Sequence, residues 1–239
     1  MKLKIGILQA DNVLPPLAEG YGEYPEMFQQ LLLAANSNQQ LQLEFVTYAV
    51  NLGIYPEDID EVDAYIMTGS KSSVYEDTPW VTQLAEFVKS IHSHKKKFIG
   101  ICFGHQMVAH ALGGEAGLAA VGWSLGVKEA SPNPAPGKNL LADQPFKLIY
   151  SHQDQVIKPV PGSVILASTD NCPIAATSLG EHILTFQGHP EFFPEYTRAL
   201  YQLRRQAYPA DTYKNAMASI QETADQTLVG KIIIDFCLA

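Results

Sequence analysis

The chain contains 239 residues with a mass of 26.2 kDa, and 46% of them are hydrophobic. This length and composition are sufficient for one sizeable hydrophobic core, so we expect a soluble globular protein with a single domain over residues 1–239. Its 16 basic and 25 acidic residues give a formal net charge of −9. The densest basic run, Lys95 to Lys97, is too short for the positively charged surface that nucleic acids require. We therefore expect no nucleic-acid partner.

The sequence also argues against a membrane partner and against a bound metal. No apolar stretch approaches the roughly 18–20 residues of a membrane-spanning helix, and the N-terminal segment MKLKIGILQADN becomes acidic too early for a signal peptide. We expect a cytoplasmic protein. Three cysteines, Cys102, Cys172 and Cys237, lie far apart without C-x-x-C spacing, which argues against disulfide bonds and a zinc site. We expect neither a metal nor a cofactor.

Short apolar segments alternate with longer amphipathic segments along the first 104 residues. The pattern predicts strands at 2–10, 41–50, 62–69 and 96–104, and helices at 24–37 and 80–94. A further strand is predicted at 181–189. This alternation is typical of a three-layer α/β fold, in which helices cover both faces of a mostly parallel sheet. Ligands bind such sheets at the carboxyl ends of the strands.

Other parts of the chain depart from this alternation. Residues 122–180 contain shorter alternating segments separated by Pro and Gly, which predict antiparallel hairpins appended to the main sheet. The tail 212–239 is predicted to be helical except near Gly230. Residues 10–28 read as a Pro- and Gly-rich loop, which either overhangs the ligand site or is an ordinary surface loop.

The segment FIGICFGHQ, residues 98–106, places a cysteine between a predicted strand and a predicted helix. Such a turn projects a nucleophile, and the N-terminus of the following helix stabilises a thiolate and offers backbone N–H groups. Gly100 and Gly104 flank Cys102, as a crowded turn requires, because a Cβ atom there would collide with the neighbouring backbone. The alternative is a buried structural cysteine, which is the commoner role of a free thiol.

A reactive thiol needs a base, and His189 is the best candidate among the seven histidines. It follows the apolar segment ILTFQG, and Glu191 comes two residues later. If this strand lies beside the strand that ends at Cys102, His189 faces the thiol and Glu191 orients the imidazole. The other histidines are expected to lie on the surface or to be satisfied within the core.

The combination of GICFGHQ and GHPE resembles the class I glutamine amidotransferase family, whose pattern is G-x-C-x-G-x-Q followed by H-P-E. The resemblance extends from about residue 40 to about residue 195. It implies that Cys102 is the nucleophile, His189 the general base and acid, and Glu191 the orienting carboxylate. It also implies that the single domain predicted over residues 1–239 is of this family.

Two further matches to the family concern the oxyanion and the glutamine substrate. The segment MTGSKSS corresponds to a glycine turn near the oxyanion, although family members often have Gly-Gly-Pro there. The match implies an oxyanion hole formed by Gly69, Ser70 and Phe103. Gln106 occupies a family position that contacts the glutamine substrate, and the alternative is a polar residue at a helix N-terminus.

The segment SHQDQV is similar to the SHGD segment in the amidotransferase domain of GMP synthetase. This similarity implies that Ser151, His152 and Gln153 contact the substrate. Gln153 replaces a glycine of that family, so the shape of the substrate is expected to differ.

The resemblance implies hydrolysis of the γ-glutamyl amide bond of glutamine or another small γ-glutamyl compound, through a γ-glutamyl thioester. There is no G-x-x-x-x-G-K-[ST] loop for phosphate, and the residues after Glu191 read as helices. We therefore expect a self-sufficient hydrolase similar to the γ-glutamyl peptidases. The alternative is a glutaminase subunit that delivers ammonia to a separate synthetase partner. A non-catalytic binding module is disfavoured because Cys, His and Glu are all present, and the amine half of the substrate is left open.

Overall fold

The computed structural model describes residues 1–36, 41–133, 140–141 and 144–239. Eleven strands are formed by the described residues: β1 (Lys2–Leu8), β2 (Gln42–Tyr48), β3 (Ala64–Met67), β4 (Lys97–Ile101), β5 (Glu115–Leu118), β6 (Ser124–Pro132), β7 (Phe146–His152), β8 (Asp154–Lys158), β9 (Val164–Thr169), β10 (Cys172–Leu179) and β11 (Ile183–Phe186). Seven α-helices accompany them: α1 (Pro15–Tyr21), α2 (Tyr24–Ala35), α3 (Pro79–Ser93), α4 (Phe103–Ala111), α5 (Pro194–Leu203), α6 (Ala210–Ser219) and α7 (Gln226–Leu238). Short 3₁₀ turns lie at Val50–Leu52 and Arg205–Ala207.

Nine strands form one sheet in the order β2-β1-β3-β4-β11-β10-β9-β6-β7. The neighbours from β2 to β11 are parallel, whereas the pairs from β11 to β7 are antiparallel. Strands β5 and β8 form a separate antiparallel pair. The predicted α/β fold with an appended antiparallel region is confirmed.

The parallel strands inside the sheet, β1, β3, β4 and β11, are mostly buried on both faces, which explains their nearly continuous apolar sequences. In β3, Ala64 and Ile66 belong to one core cluster, and Tyr65 and Met67 belong to another. Helices α2 and α7 contribute to the first cluster, and α3 and α4 contribute to the second. Within the described ranges, no helix is both long enough and apolar enough to cross a membrane.

The predicted strands and helices are present in the structure, and their predicted ends differ from the observed ends by a few residues. The strand predicted at 181–189 stops at Phe186, because the chain turns after Phe186 towards the carboxyl edge of the sheet. The helix predicted at 24–37 ends at Ala35, and its last predicted residue lies outside the described residues.

The prediction of a helix break near Gly230 is wrong. Gly230 lies inside α7, and the break falls between α6 and α7 at residues 220–225. A Cβ atom at Gly230 would lie 2.8 Å from Cβ of Ala35 and 3.2 Å from Cδ1 of Leu31. Glycine at this position therefore permits α7 to pack closely on α2.

The prediction that residues 10–28 form a loop is wrong for most of the segment. Helix α1 occupies Pro15–Tyr21, and α2 begins at Tyr24. The Glu23 carboxylate caps α2 and also accepts a hydrogen bond from the backbone N–H of Val13 at 2.9 Å. These contacts tie the segment before α1 to the start of α2.

Candidate active site

Cys102 lies in a sharp turn between β4 and α4. Its φ of 52° and ψ of −99° belong to a region that residues with a side chain rarely adopt. The backbone N–H of Cys102 donates to the carbonyl of Phe186 at 2.8 Å, and its carbonyl accepts from the N–H of Gln106 at 3.0 Å. The predicted strand-to-helix turn is confirmed, and the bonds on both sides hold it in place.

The two glycines beside the turn are required by close packing, as predicted. A Cβ atom at Gly100 would lie 2.6 Å from the carbonyl oxygen of Gly104. One at Gly104 would lie 3.0 Å from Cβ of Met67. Helix α4 can therefore approach β3 and β4 only because neither residue has a side chain.

His189 reaches Cys102 because β11 lies parallel to β4, with Phe186 opposite Ile101. After β11, the backbone N–H of His189 donates to the carbonyl of Ile149 at 2.7 Å. This bond stops the chain beside the turn that carries Cys102. The prediction that the two strands are adjacent and that His189 lies beside Cys102 is confirmed.

The imidazole of His189 lies between Glu191, Phe192 and the Cys102 side chain. Its Nδ1 lies 2.8 Å from Oε1 of Glu191, and its ring stacks on Phe192 with centroids 4.0 Å apart. Both His189 and Glu191 are buried, with 4% and 3% of their surfaces exposed. Burial disfavours the imidazolium, but the charges of Glu191 and Cys102 and the hydrogen bonds to both outweigh it and raise the pKa of His189 to about 10. The site therefore favours a protonated imidazole.

The other two cysteines lie in different surroundings. Burial raises the pKa of Cys172 to about 12 and that of Cys237 to about 12. The Cys172 thiol donates to the carbonyl of Ile174 at 3.5 Å. Both are therefore protonated near neutral pH, as expected of structural cysteines.

The turn after β3 passes directly beside the thiol and the imidazole. A Cβ atom at Gly69 would lie 2.9 Å from Cε1 of His189 and 3.6 Å from Cβ of Cys102, so only glycine fits there. Asp11, which follows β1, holds this turn by accepting hydrogen bonds from the backbone N–H of Lys71 at 3.0 Å and from its Nζ at 2.8 Å. Ser70 lines the cavity beside Cys102.

Phe103 is the first residue of α4 and stacks on Trp80, with ring centroids 5.6 Å apart. The first backbone N–H groups of an α-helix have no partner within the helix. The N–H of Phe103 therefore lies next to the thiol with no acceptor in its own helix.

Two cavities meet at Cys102. The first, the histidine-side cavity, has a volume of about 140 Å³, and its walls include Leu14, Tyr24, His189, Phe192 and Leu200. The second, which we call the glutamine-side cavity after Gln106, has a volume of about 250 Å³. Its walls include Gln106, Ser151, His152, Gln153 and Asp154. Lys71, Ser151 and Arg204 line both cavities. The structure thus brings the residues predicted to bind substrate to one wall.

The side chains of that wall are held by bonds within the protein. Nε2 of Gln106 donates to the carbonyl of Asp154 at 2.7 Å and to Oε1 of Gln187 at 3.2 Å. Nδ1 of His152 lies 2.9 Å from the same carbonyl, and burial lowers the pKa of His152 to about 3. His152 is therefore neutral near pH 7, and both amide N–H groups of Gln106 are already used. Substrate contact by either residue stays a prediction.

Ser73, Tyr75 and Arg204 were missed by the sequence analysis, whereas Asp154 belongs to the SHQDQV segment. The Asp154 carboxylate accepts from Oγ of Ser73 at 2.5 Å and from the hydroxyl of Tyr75 at 3.2 Å. Arg204 comes from the end of α5, which follows GHPE directly, and that order along the chain was its only signal. No group of three His, Cys, Asp or Glu side chains among the described residues is placed to hold a metal ion.

Comparisons with known proteins agree with this fold. Residues 24–202 match the family model described as glutamine amidotransferase class-I. A glutamine amidotransferase-like protein of Schizosaccharomyces pombe is 31% identical over 251 residues, covering 100% of both chains. Gamma-glutamyl peptidase 3 of Arabidopsis thaliana is 29% identical over 197 residues, covering 77% of this chain and 78% of the plant protein. A solved glutamine amidotransferase from Methylobacillus flagellatus is similar in fold, with a TM-score of 0.74 at 18% identity, covering 100% of this chain and 95% of that one.

The chain belongs to the class-I glutamine amidotransferase family, because the family model matches well over half of its length. The resemblance stated from GICFGHQ and GHPE is therefore confirmed. The family and the peptidase relative together indicate a hydrolase-like enzyme.

Proposed function

We propose that the chain hydrolyses the amide bond between the γ-carboxyl of a glutamyl group and an amine, through a γ-glutamyl thioester on Cys102. The observation that carries the proposal is the contact of one buried imidazole with both Cys102 and Glu191, at a strained turn between a strand and a helix. This is the arrangement of a thiol nucleophile, a base and an orienting acid.

In the first step, Sγ of Cys102 attacks the amide carbon and forms a carbon–sulfur bond. The N–H groups of Phe103 and of the Gly69–Ser70 turn hold the oxyanion, each contributing roughly 3–4 kcal/mol to the transition state. Because Nδ1 of His189 is bonded to Glu191, Nε2 carries the proton that passes to the leaving nitrogen. The carbon–nitrogen bond then breaks, the amine departs, and the thioester remains.

In the second step, the now neutral Nε2 of His189 takes a proton from water, and the hydroxyl attacks the thioester carbon. The carbon–sulfur bond breaks, restoring the thiolate beside the imidazolium and releasing the γ-carboxylic acid, which loses its proton to the solvent. Glu191 keeps the ring oriented through both steps. The raised pKa of His189 suits a group that must hold its proton until the amine is ready to leave.

The glutamine-side cavity is proposed to bind the glutamyl half of the substrate. Its Asp154 carboxylate complements the α-ammonium, and Ser151 and Gln153 lie on the same wall. Gln106 positions the backbone of Asp154 through its 2.7 Å bond. We propose the histidine-side cavity for the amine half, because His189 must protonate the leaving nitrogen from that side.

The alternative is a glutaminase subunit that passes ammonia to a separate synthetase. The family name of the matching model is consistent with it. Ammonia needs no binding surface, whereas the histidine-side cavity offers the apolar side chains Leu14, Tyr24 and Leu200. This cavity supports the self-sufficient hydrolase.

The test is the release of glutamate by the purified chain alone from glutamine, glutathione and other γ-glutamyl peptides. We expect turnover on the order of 1 per second with at least one of them, and none after Cys102→Ala. Cys172→Ala is the matched control and should keep the activity, because Cys172 lines neither cavity. A chain that is silent alone but hydrolyses glutamine once a synthetase is added is the glutaminase subunit instead.

A further inference from the structure

Arg204 is a half-buried cation at the junction of the two cavities. Its guanidinium carbon lies 5.4 Å from the ring centroid of Trp123 and 5.9 Å from that of Tyr208. Its backbone N–H donates to the carbonyl of Leu200 at 3.0 Å. The two rings orient the guanidinium but do not neutralise its charge.

In the part of the chain that the structure describes, no carboxylate forms an ion pair with this charge. Lys71, the other cation on the walls of both cavities, is paired with Asp11 at 2.8 Å. A guanidinium that faces a cavity without an acidic partner is suited to bind a planar anion, and its fork geometry matches a carboxylate.

The histidine-side cavity combines this cation with apolar walls. Phe192 and Leu200 come from the chain just after His189, and Leu14 and Tyr24 come from the segment around α1. An amino acid or short peptide presents the matching chemistry, since it has an amine to be released, apolar atoms and a terminal carboxylate. Ammonia has neither apolar atoms nor a carboxylate.

We propose that Arg204 determines substrate specificity by binding the free carboxylate of the amine half. This inference rests on the proposed function and narrows its substrate class to γ-glutamyl amino acids and peptides with a free C-terminal carboxylate. Because Arg204 lines both cavities, its anion has two possible sources: the carboxylate of the amine half and the α-carboxylate of the glutamyl group. The experiment separates them.

The experiment compares kcat/KM for a γ-glutamyl dipeptide with kcat/KM for the same dipeptide ending in a carboxamide, and with glutamine. The wild-type chain should prefer the free acid by about 10- to 100-fold, as expected for a charged hydrogen-bonded pair. Arg204→Gln should abolish this preference by lowering kcat/KM for the acid alone. Arg204→Lys should restore part of it, because the charge is retained without the fork.

The matched control is Arg205→Gln. Arg205 is the next residue, lies over the ring of Tyr213 at 4.5 Å and donates to the carbonyl of Tyr208 at 3.2 Å, and it lines neither cavity. The preference for the free acid should remain in this variant.

Two kinetic outcomes overturn the inference. Equal losses for all three substrates in Arg204→Gln would place the α-carboxylate of the glutamyl group at Arg204. An unchanged preference would mean that Arg204 contacts no carboxylate.

If no γ-glutamyl compound is hydrolysed, the proposed function fails, and the inference is then decided by calorimetry. The experiment measures binding of the dipeptide and of its carboxamide to the wild-type chain and to Arg204→Gln. Tighter binding of the acid that depends on Arg204 supports it, and equal binding overturns it.

Discussion

Cys102, His189 and Glu191 are oriented by contacts that exist without substrate. The unusual backbone of Cys102 costs of order 1–3 kcal/mol, and its hydrogen bonds to Phe186 and Gln106 offset that strain. The stacking of His189 on Phe192 limits rotation of the imidazole. Under the proposed mechanism, the Cys102 thiol and the His189 imidazole therefore need no rearrangement before the substrate binds.

At the residue scale, we expect His189→Ala to lower kcat/KM about as severely as Cys102→Ala, by at least about 10³-fold, because the members of such a unit act together. Glu191→Gln should leave measurable activity, since an amide oxygen still accepts the Nδ1–H of His189. Steady-state kinetics with the best γ-glutamyl substrate measures both effects.

His110→Ala is the control for these variants, because His110 is exposed at the far end of α4. It should behave as the wild type does. A His189→Ala protein with the wild-type rate would remove His189 from the mechanism.

At the element scale, the packing of α7 on α2 depends on the absence of a side chain at Gly230. The first core cluster contains Phe28 and Leu32 of α2 together with Ile233 of α7. The contact between these helices covers the face of the sheet opposite α3 and α4. Enlarging residue 230 therefore strains a buried interface rather than a surface helix.

We expect Gly230→Ala to lower the free energy of unfolding by about 1–3 kcal/mol, because its Cβ would lie 2.8 Å from Cβ of Ala35. The higher helix propensity of alanine, about 1 kcal/mol, is too small to prevent this. Urea unfolding measures the change.

Gly20→Ala is the matched control, because Gly20 is also helical and an added Cβ would meet no atom within 4 Å. This change should stabilise the protein by about 0.4–1 kcal/mol. If Gly230→Ala stabilised the protein to the same degree, the prediction would be wrong. The result would mean that α7 can move away from α2 without loss of free energy of unfolding.

At the scale of the whole molecule, buried histidines link stability to pH. Burial lowers the pKa of His105 to about 4 and that of His152 to about 3. His105 is held neutral between Oγ1 of Thr185 at 2.6 Å and the carbonyl of Ile174 at 3.0 Å. Each residue takes up a proton on unfolding when the pH lies between its folded pKa and about 6.5.

We therefore expect the contribution of these two histidines to the free energy of unfolding to be fully retained above pH 6.5 and to fall as the pH decreases towards 4. Each of the two histidines contributes about 2 kcal/mol to the loss at pH 5. Urea unfolding at pH 7 and pH 5 measures the loss, and His105→Gln should reduce it. A stability that is independent of pH over this range would show that these histidines are not buried in neutral form.

His189 has the opposite dependence. Its pKa is raised to about 10 in the folded chain, so its contribution is complete below pH 6.5 and is lost as the pH rises through 10. Stability is thus limited from both sides by histidines in different surroundings.

Local patterns in the sequence determined the layered fold and the main residues of the candidate site. Continuous apolar strands indicated a sheet buried on both faces, and a cysteine between a strand and a helix indicated a thiol that projects from a turn at the carboxyl edge. His189 and Glu191 could be predicted because each follows a strand within a few residues, where parallel strands bring their ends together.

Only the tertiary structure decided what surrounds that site. Arg204 lies on an element whose position depends on long-range packing, and nothing in its local spacing indicates a cavity. For residues 10–28 the sequence left two alternatives open, and the structure places Leu14 and Tyr24 of this segment on the cavity wall. Gly230 suggests a helix break by its propensity, but the contact of α7 with Ala35 requires it within a helix. Sequence patterns report short-range backbone preferences and burial, whereas the walls of a cavity are set by which distant surfaces pack together.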